Sequence, residues 1–208
     1  MADKGNLSFW QNTAGIYGRA VQGASAKTYE GVCARIRERL RADMYVIEAA
    51  CGTGQLSYPL CGSVAQWEAT DASAEMIAQA KKPPHSERLR FSVQDAQSLP
   101  YEHSTFDAAV IGNALHILPR PDLALRELRR VLKPGGLLFA PTYVHGAARR
   151  ESVRMRIMTL GGLRVYHRWN ADELAAYIEG CGFRMEKRVL LPNGTATLCY
   201  LEARSTKK

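Results

Sequence analysis

Val46-Ile47-Glu48-Ala49-Ala50-Cys51-Gly52-Thr53-Gly54 is the stretch that decides the reading of this chain. An apolar strand runs into an acid and then into a loop whose glycines stand two apart. A strand ending in a glycine-rich turn before a helix lets a nucleoside cofactor approach bare backbone, which side chains would otherwise block. A dinucleotide site would require G-x-G-x-x-G. Here Gly52-Thr53-Gly54-Gln55-Leu56-Ser57 puts serine where the third glycine permits close helix packing, which argues against an NAD-type loop.

Outward from this stretch, strand-like runs at about 44–50, 64–70, 89–94, 106–112 and 136–142 alternate with helical patterns, as in a parallel sheet of βαβ units. Ser73 is placed to cap a helix carrying Glu75, Met76, Ile77 and Ala80. Pro121 and Asp122 open another, with Leu125, Leu128 and Leu132 on one face and Pro134-Gly135-Gly136 as its stop. Asn170 and Glu173 resemble a capping box ahead of Leu174, Tyr177, Ile178 and Cys181. Runs at about 184–191 and 196–203, separated by Pro192-Asn193-Gly194, read as a hairpin, which requires one antiparallel strand. Upstream, Tyr29, Val32, Cys33, Ile36 and Leu40 form an amphipathic helical stripe, while the stretch holding Phe9, Trp10 and Tyr17 has no clean period.

With 208 residues, 46% of them hydrophobic, the chain suits a single domain, 1–208, in which about 70% of the unfolded surface becomes buried. Five cysteines without C-x-x-C spacing read as reduced thiols, and no stretch has signal-peptide or membrane-spanning character. A cytoplasmic protein is expected. The net charge is +8, and between Tyr143 and Trp169 six arginines (Arg149, Arg150, Arg154, Arg156, Arg164, Arg168) face the single acid Glu151. The histidines are scattered and show no metal-ligand spacing, so no metal is expected.

Glu48 precedes the glycines, Asp71 ends the next strand and Asp95 the one after. The expectation is a row of three acids along the carboxyl edge of the sheet, where such sheets bind ligands. That row would repel a pyrophosphate and attract a cationic nucleoside. Taken singly, Asp71 and Asp95 also suit helix caps, and Met76 suits the core.

At these positions the chain resembles the class I S-adenosylmethionine-dependent methyltransferases, in the group that methylates quinone precursors, small metabolites and phospholipids. The resemblance covers about residues 44–142. It rests on the opening stretch, on Ala69-Thr70-Asp71-Ala72-Ser73-Ala74-Glu75-Met76, and on Gln94-Asp95-Ala96-Gln97-Ser98-Leu99-Pro100. Phe106-Asp107-Ala108-Ala109-Val110 and Leu128-Arg129-Arg130-Val131-Leu132-Lys133-Pro134-Gly135-Gly136 complete it. It implies a Rossmann-like, doubly wound α/β fold: a seven-stranded, mostly parallel sheet of order 3-2-1-4-5-7-6 with strand 7 antiparallel, helices on both faces, an N-terminal helical cap over 1–42 and an insert over 143–169. It implies S-adenosyl-L-methionine as cofactor and S-adenosyl-L-homocysteine as product.

Residue by residue, the resemblance implies that Glu48 orients the methionine amino end and that Gly52 and Gly54 make room beside methionine and ribose. Asp71 would bind the ribose hydroxyls, Ala72 and Met76 would pack on adenine, and Asp95 would accept from the adenine amino group beside Ala96. Asn113 would border the methionine portion and Tyr17 would close over the cofactor. The family usually has glycine at position 50, and alanine there requires a negative φ.

His116, just past the fourth strand, suits either a general base, or a group orienting the nucleophile, or a structural histidine. Tyr143, His145 and a lid helix with Val153, Ile157 and Leu160 are expected around a small-molecule acceptor carrying an O, N or S nucleophile, its arginines either gripping an anionic group, contacting a membrane surface or simply solvated. The other readings are a phospholipid N-methyltransferase at the membrane face and a non-catalytic cofactor-binding regulator. The chain has no Asn/Asp-Pro-Pro-Tyr/Phe motif and no appended module, which argues against a nucleic-acid acceptor.

Overall fold

The structure is a computed structural model describing residues 4–145 and 158–207, with the backbone alone for residue 4 and residues 16–24. Eight strands form one sheet among the described residues: β1 (Tyr45–Ala49), β2 (Gln66–Asp71), β3 (Leu89–Val93), β4 (Phe106–Ile111), β5 (Leu132–Phe139), β6 (Thr142–Val144), β7 (Phe183–Asn193) and β8 (Ala196–Ser205). The order runs β3-β2-β1-β4-β5-β8, with β7 on the far edge of β8. Strands β3 through β5 are parallel, and β8 is antiparallel to its neighbours. Strand β6 adds to the expected seven. It continues the line of β5 and pairs with the other half of β8, Thr142 opposite Cys199.

Pleating divides the core. On β1, Ile47 and Ala49 face one apolar cluster, and Val46 faces the other. The first cluster takes Leu125 and Leu128 of α5 (Pro121–Val131) and Leu174 and Ile178 of α6 (Ala171–Gly180). The second takes Val32, Cys33 and Ile36 of α2 (Ala26–Arg37), Leu60 of the short α3 (Ser57–Leu60), and Ile77 and Ala80 of α4 (Ala74–Ala80). Both faces are therefore covered. The caps form as their sequences indicate: Ser73 Oγ accepts from the Met76 N–H, and Asn170 and Glu173 make a reciprocal capping box.

Two segments differ from their sequence reading. Helix α5 ends at Val131 and passes directly into β5, so Pro134-Gly135-Gly136 lies within the strand rather than stopping the helix; the pairing with β4 shifts register there. The aperiodic N-terminal stretch is α1 (Lys4–Ala24), a helix that also lines a cavity. A helix touching several surfaces shows no single apolar stripe. None of the helices searched is long and apolar enough to cross a membrane. The lid residues Val153 and Ile157, with Arg149, Arg150, Arg154 and Arg156, lie outside the described residues.

Candidate active site

The carboxyl ends of β1 to β4 open onto a cavity of about 810 Å3, counting its open mouth. Asp71, Ala72, Ser73, Met76, Gln94, Asp95 and Ala96 form one side. Ala50, Gly52, Gly112, Asn113 and Ala114 form the floor, and Asn6, Leu7, Trp10, Ile117 and Leu118 the cover. A lining that is mostly apolar with a few convergent polar groups suits a small ligand.

Asp71 organises the polar side. Its Oδ2 accepts from the Gly52 N–H at 2.9 Å and its Oδ1 from the Ser73 N–H at 2.9 Å. Each oxygen keeps a lone pair for a ligand hydroxyl. Burial pushes this carboxyl above its ordinary value, and the two N–H groups oppose that shift. Asp95 holds its own loop, accepting from the Gln97 N–H at 3.0 Å.

Glu48 does not join this row. The β1 pleat turns its side chain to the second face, where it is 2% exposed and accepts from Ser57 Oγ and, at 2.9 Å, from Trp67 Nε1. Burial raises its carboxyl to about 7. The serine in the third-glycine place is thus the loop's anchor to Glu48. Gly54 also lies outside the cavity lining: at φ +88° an added Cβ would stand 2.9 Å from the Tyr58 ring, so its bareness accommodates Tyr58.

Ala50 corrects an expectation. It adopts φ 55°, the left-handed region, instead of the negative φ that alanine prefers, because the chain must turn between Ala49 and the Cys51 N–H, which donates to Thr70 O at 2.9 Å. Asn113 is also left-handed, at φ 54°. Its N–H donates to Pro141 O, its Nδ2 to the Tyr29 hydroxyl at 2.6 Å, and its Oδ1 accepts from the Tyr143 N–H at 3.1 Å.

The expected acceptor residues gather differently. The Tyr143 ring packs in the second cluster, and its hydroxyl bonds Ser25 and Asn193, away from the cavity. His145 is half-buried, its N–H donating to Trp169 O. His116 is 7% exposed, on the Leu115–Ile117 turn beside the cover residues Ile117 and Leu118. Its Nδ1 lacks a hydrogen-bond partner among the described residues. Burial, with His145 and His167 nearby, lowers its pKa to about 4, so the imidazole is neutral at pH 7. The Tyr17 side chain lies outside the described residues. Trp10 of α1 is an aromatic residue lining the cavity, a role that only its aromatic character in an aperiodic segment hinted at.

Residues 47–140 match the family model described as a methyltransferase domain. Over these residues the chain is a match to a methyltransferase domain, as its resemblance to the class I S-adenosylmethionine-dependent family implies. It is similar to an uncharacterized chloroplastic methyltransferase of Arabidopsis thaliana, with 30% identity over 151 residues, 66% of this chain and 42% of that protein. The ubiquinone/menaquinone biosynthesis C-methyltransferase of Cellvibrio japonicus is 38% identical over 107 residues, 48% of this chain and 43% of that one. The chain thus spans less than half the length of these curated relatives. The magnesium protoporphyrin IX methyltransferase of Synechocystis, solved with bound S-adenosylhomocysteine, superposes with a TM-score of 0.72 at 16% identity, covering 95% of this chain and 97% of that one. The cavity fits S-adenosylmethionine, the cofactor that the resemblance implies: it offers the Asp71 and Asp95 carboxylates for hydroxyl and amino groups, apolar Ala72 and Met76 for a flat base, and bare backbone at Gly52.

Two outcomes are expected. A left-handed alanine costs roughly 1–2 kcal/mol, so Ala50→Gly, less its own unfolded-state entropy, should raise chemical-denaturation stability by about 1 kcal/mol; a loss would contradict the strained turn. Because folding raises the Glu48 pKa from 4.5 to about 7, the folded state holds that proton more tightly. The resulting stability is complete below pH 4.5 and lost as pH rises to about 7. Unfolding free energies from urea titrations between pH 5 and about 7 should fall for the native chain relative to Glu48→Gln, by on the order of 3 kcal/mol at most. Parallel pH profiles would show that Glu48 does not carry this proton.

Proposed function

We propose that this chain catalyses methyl transfer from S-adenosylmethionine to a nucleophile on a small-molecule acceptor. The observation that carries the proposal is the Asp71 carboxylate, held by Gly52 and Ser73 across a cavity that it shares with Asp95. The bound cofactor supplies a methyl group on a positively charged sulfur that leaves as a neutral thioether, so no strong acid or base is required to activate the donor. Asp71 accepts from the ribose hydroxyls and Asp95 from the adenine amino group, with Ala72, Met76 and Ala96 against the base. Gly52 and Asn113 border the methionine end, where alignment of nucleophile and methyl contributes most of the rate.

His116, neutral at pH 7 and set on the turn beside the cover, orients the acceptor, because its low pKa makes it a poor proton acceptor. An O, N or S nucleophile was expected from sequence, and the name of the Cellvibrio relative adds carbon. No observation separately favours the phospholipid or the non-catalytic alternative.

Asp71→Ala should weaken S-adenosylhomocysteine binding by about tenfold or more in calorimetry, since a buried charged hydrogen-bond partner is removed. Unchanged affinity would remove Asp71 from the site. His116→Ala should lower turnover of any acceptor found by panel screening while leaving cofactor affinity intact. An equal fall in thermal stability and cofactor affinity would instead make it a structural residue.

A further inference from the structure

Asn6 of α1 lines the cavity yet is 5% exposed, and it spends its amide on two distant segments. Its Nδ2 donates to Ile117 O at 2.8 Å and to Arg164 O at 2.9 Å, and its Oδ1 accepts from the Arg164 N–H at 2.8 Å. Gly5 lets the helix approach closely: an added Cβ would stand 3.3 Å from the Arg164 guanidinium. Leu7, the next residue, and Trp10, one turn further along α1, also line the cavity.

The Arg164 segment leads to His116. The N–H groups of Tyr166 and His167 both donate to His116 O, at 3.0 and 3.1 Å, and the His167 ring stacks on Trp169 with centroids 4.7 Å apart. Hydrogen bonds at the two ends of this segment, joined by the chain between Arg164 and His167, therefore link Asn6 to the backbone of His116. Deleting the Asn6 amide would take this partner from three part-buried backbone groups, the Ile117 and Arg164 carbonyls and the Arg164 N–H, and so loosen the tie between α1 and both segments.

We propose that Asn6 is a positioning residue that couples occupancy of the cavity beneath Leu7 and Trp10 to the ordering of the Arg164–Trp169 segment and of the backbone around His116. A ligand beneath Leu7 and Trp10 gains contacts only with α1 seated, and a seated α1 holds Arg164 and, through it, the backbone around His116. By reciprocity, an acceptor that needs the ordered segment tightens cofactor binding. The proposal rests on the methyltransferase reading given above.

The test uses the whole chain with S-adenosylhomocysteine as probe. On the native chain, hydrogen exchange is measured with and without the probe; the amides of Arg164, Tyr166 and His167 should become more protected when it binds. In Asn6→Ala, stopped-flow dissociation of the probe should be faster by about tenfold or more, and the added protection at Tyr166 and His167 should disappear. Asn6→Asp, which keeps the acceptor oxygen and loses both donors, repeats the test if the alanine variant does not fold. A native chain that binds the probe without protecting these amides overturns the coupling and leaves the methyltransferase reading standing, as does an unchanged dissociation rate in the variants. A native chain that does not bind the probe overturns that reading and the coupling with it.

Discussion

The Asp71 carboxylate is the interaction on which the rest of the site depends. It sits at the end of β2 and takes the Gly52 N–H from the loop after β1 and the Ser73 N–H at the start of α4. Two loops and a helix terminus are thereby held together by one charge. The same charge is costly to bury unless hydrogen-bonded, so the loop geometry and the cavity require one another. Ala50 and Gly52 are both left-handed, and the hydrogen bonds of the Cys51 N–H to Thr70 O and of the Gly52 N–H to this carboxylate hold the turn against the strain at Ala50.

A second constraint holds the loop from behind. Glu48 is buried with Ser57 and Trp67, tying β1 to the start of α3 and to β2 on the face opposite the acceptor side. The two carboxylates, separated by the β1 pleat, thus play different parts: Asp71 faces the ligand space, and Glu48 fastens the scaffold and favours its protonated form. Above them, the Asn6 side chain ties α1 to the backbone of Ile117 and Arg164, so this part of the cover is linked to segments more than a hundred residues away.

The sheet was largely legible in the sequence. Strands of β-rich residues with helical stripes between them allow few packings, and right-handed crossovers reduce these further, so β1 to β5, α4, α5 and the terminal hairpin follow from local pattern. Asp71 and Asp95 were legible for the same reason: a residue ending a parallel strand can only stand at the carboxyl edge. Glu48 was not, because it lies one residue inside its strand, and one residue along a strand reverses the face. Helix α1 was not legible either, since its polar and aromatic residues answer to several partners.

The sequence by itself determined the fold class, the cofactor loop and the pair of carboxylates beside it, because these rest on local periodicity and on strand ends. Only the tertiary structure decided which groups cover the cavity, that Ala50 turns left-handed, that Tyr143 faces away and that His116 is buried and neutral. Each of these depends on contacts between segments far apart in the chain, whose partners no local pattern encodes.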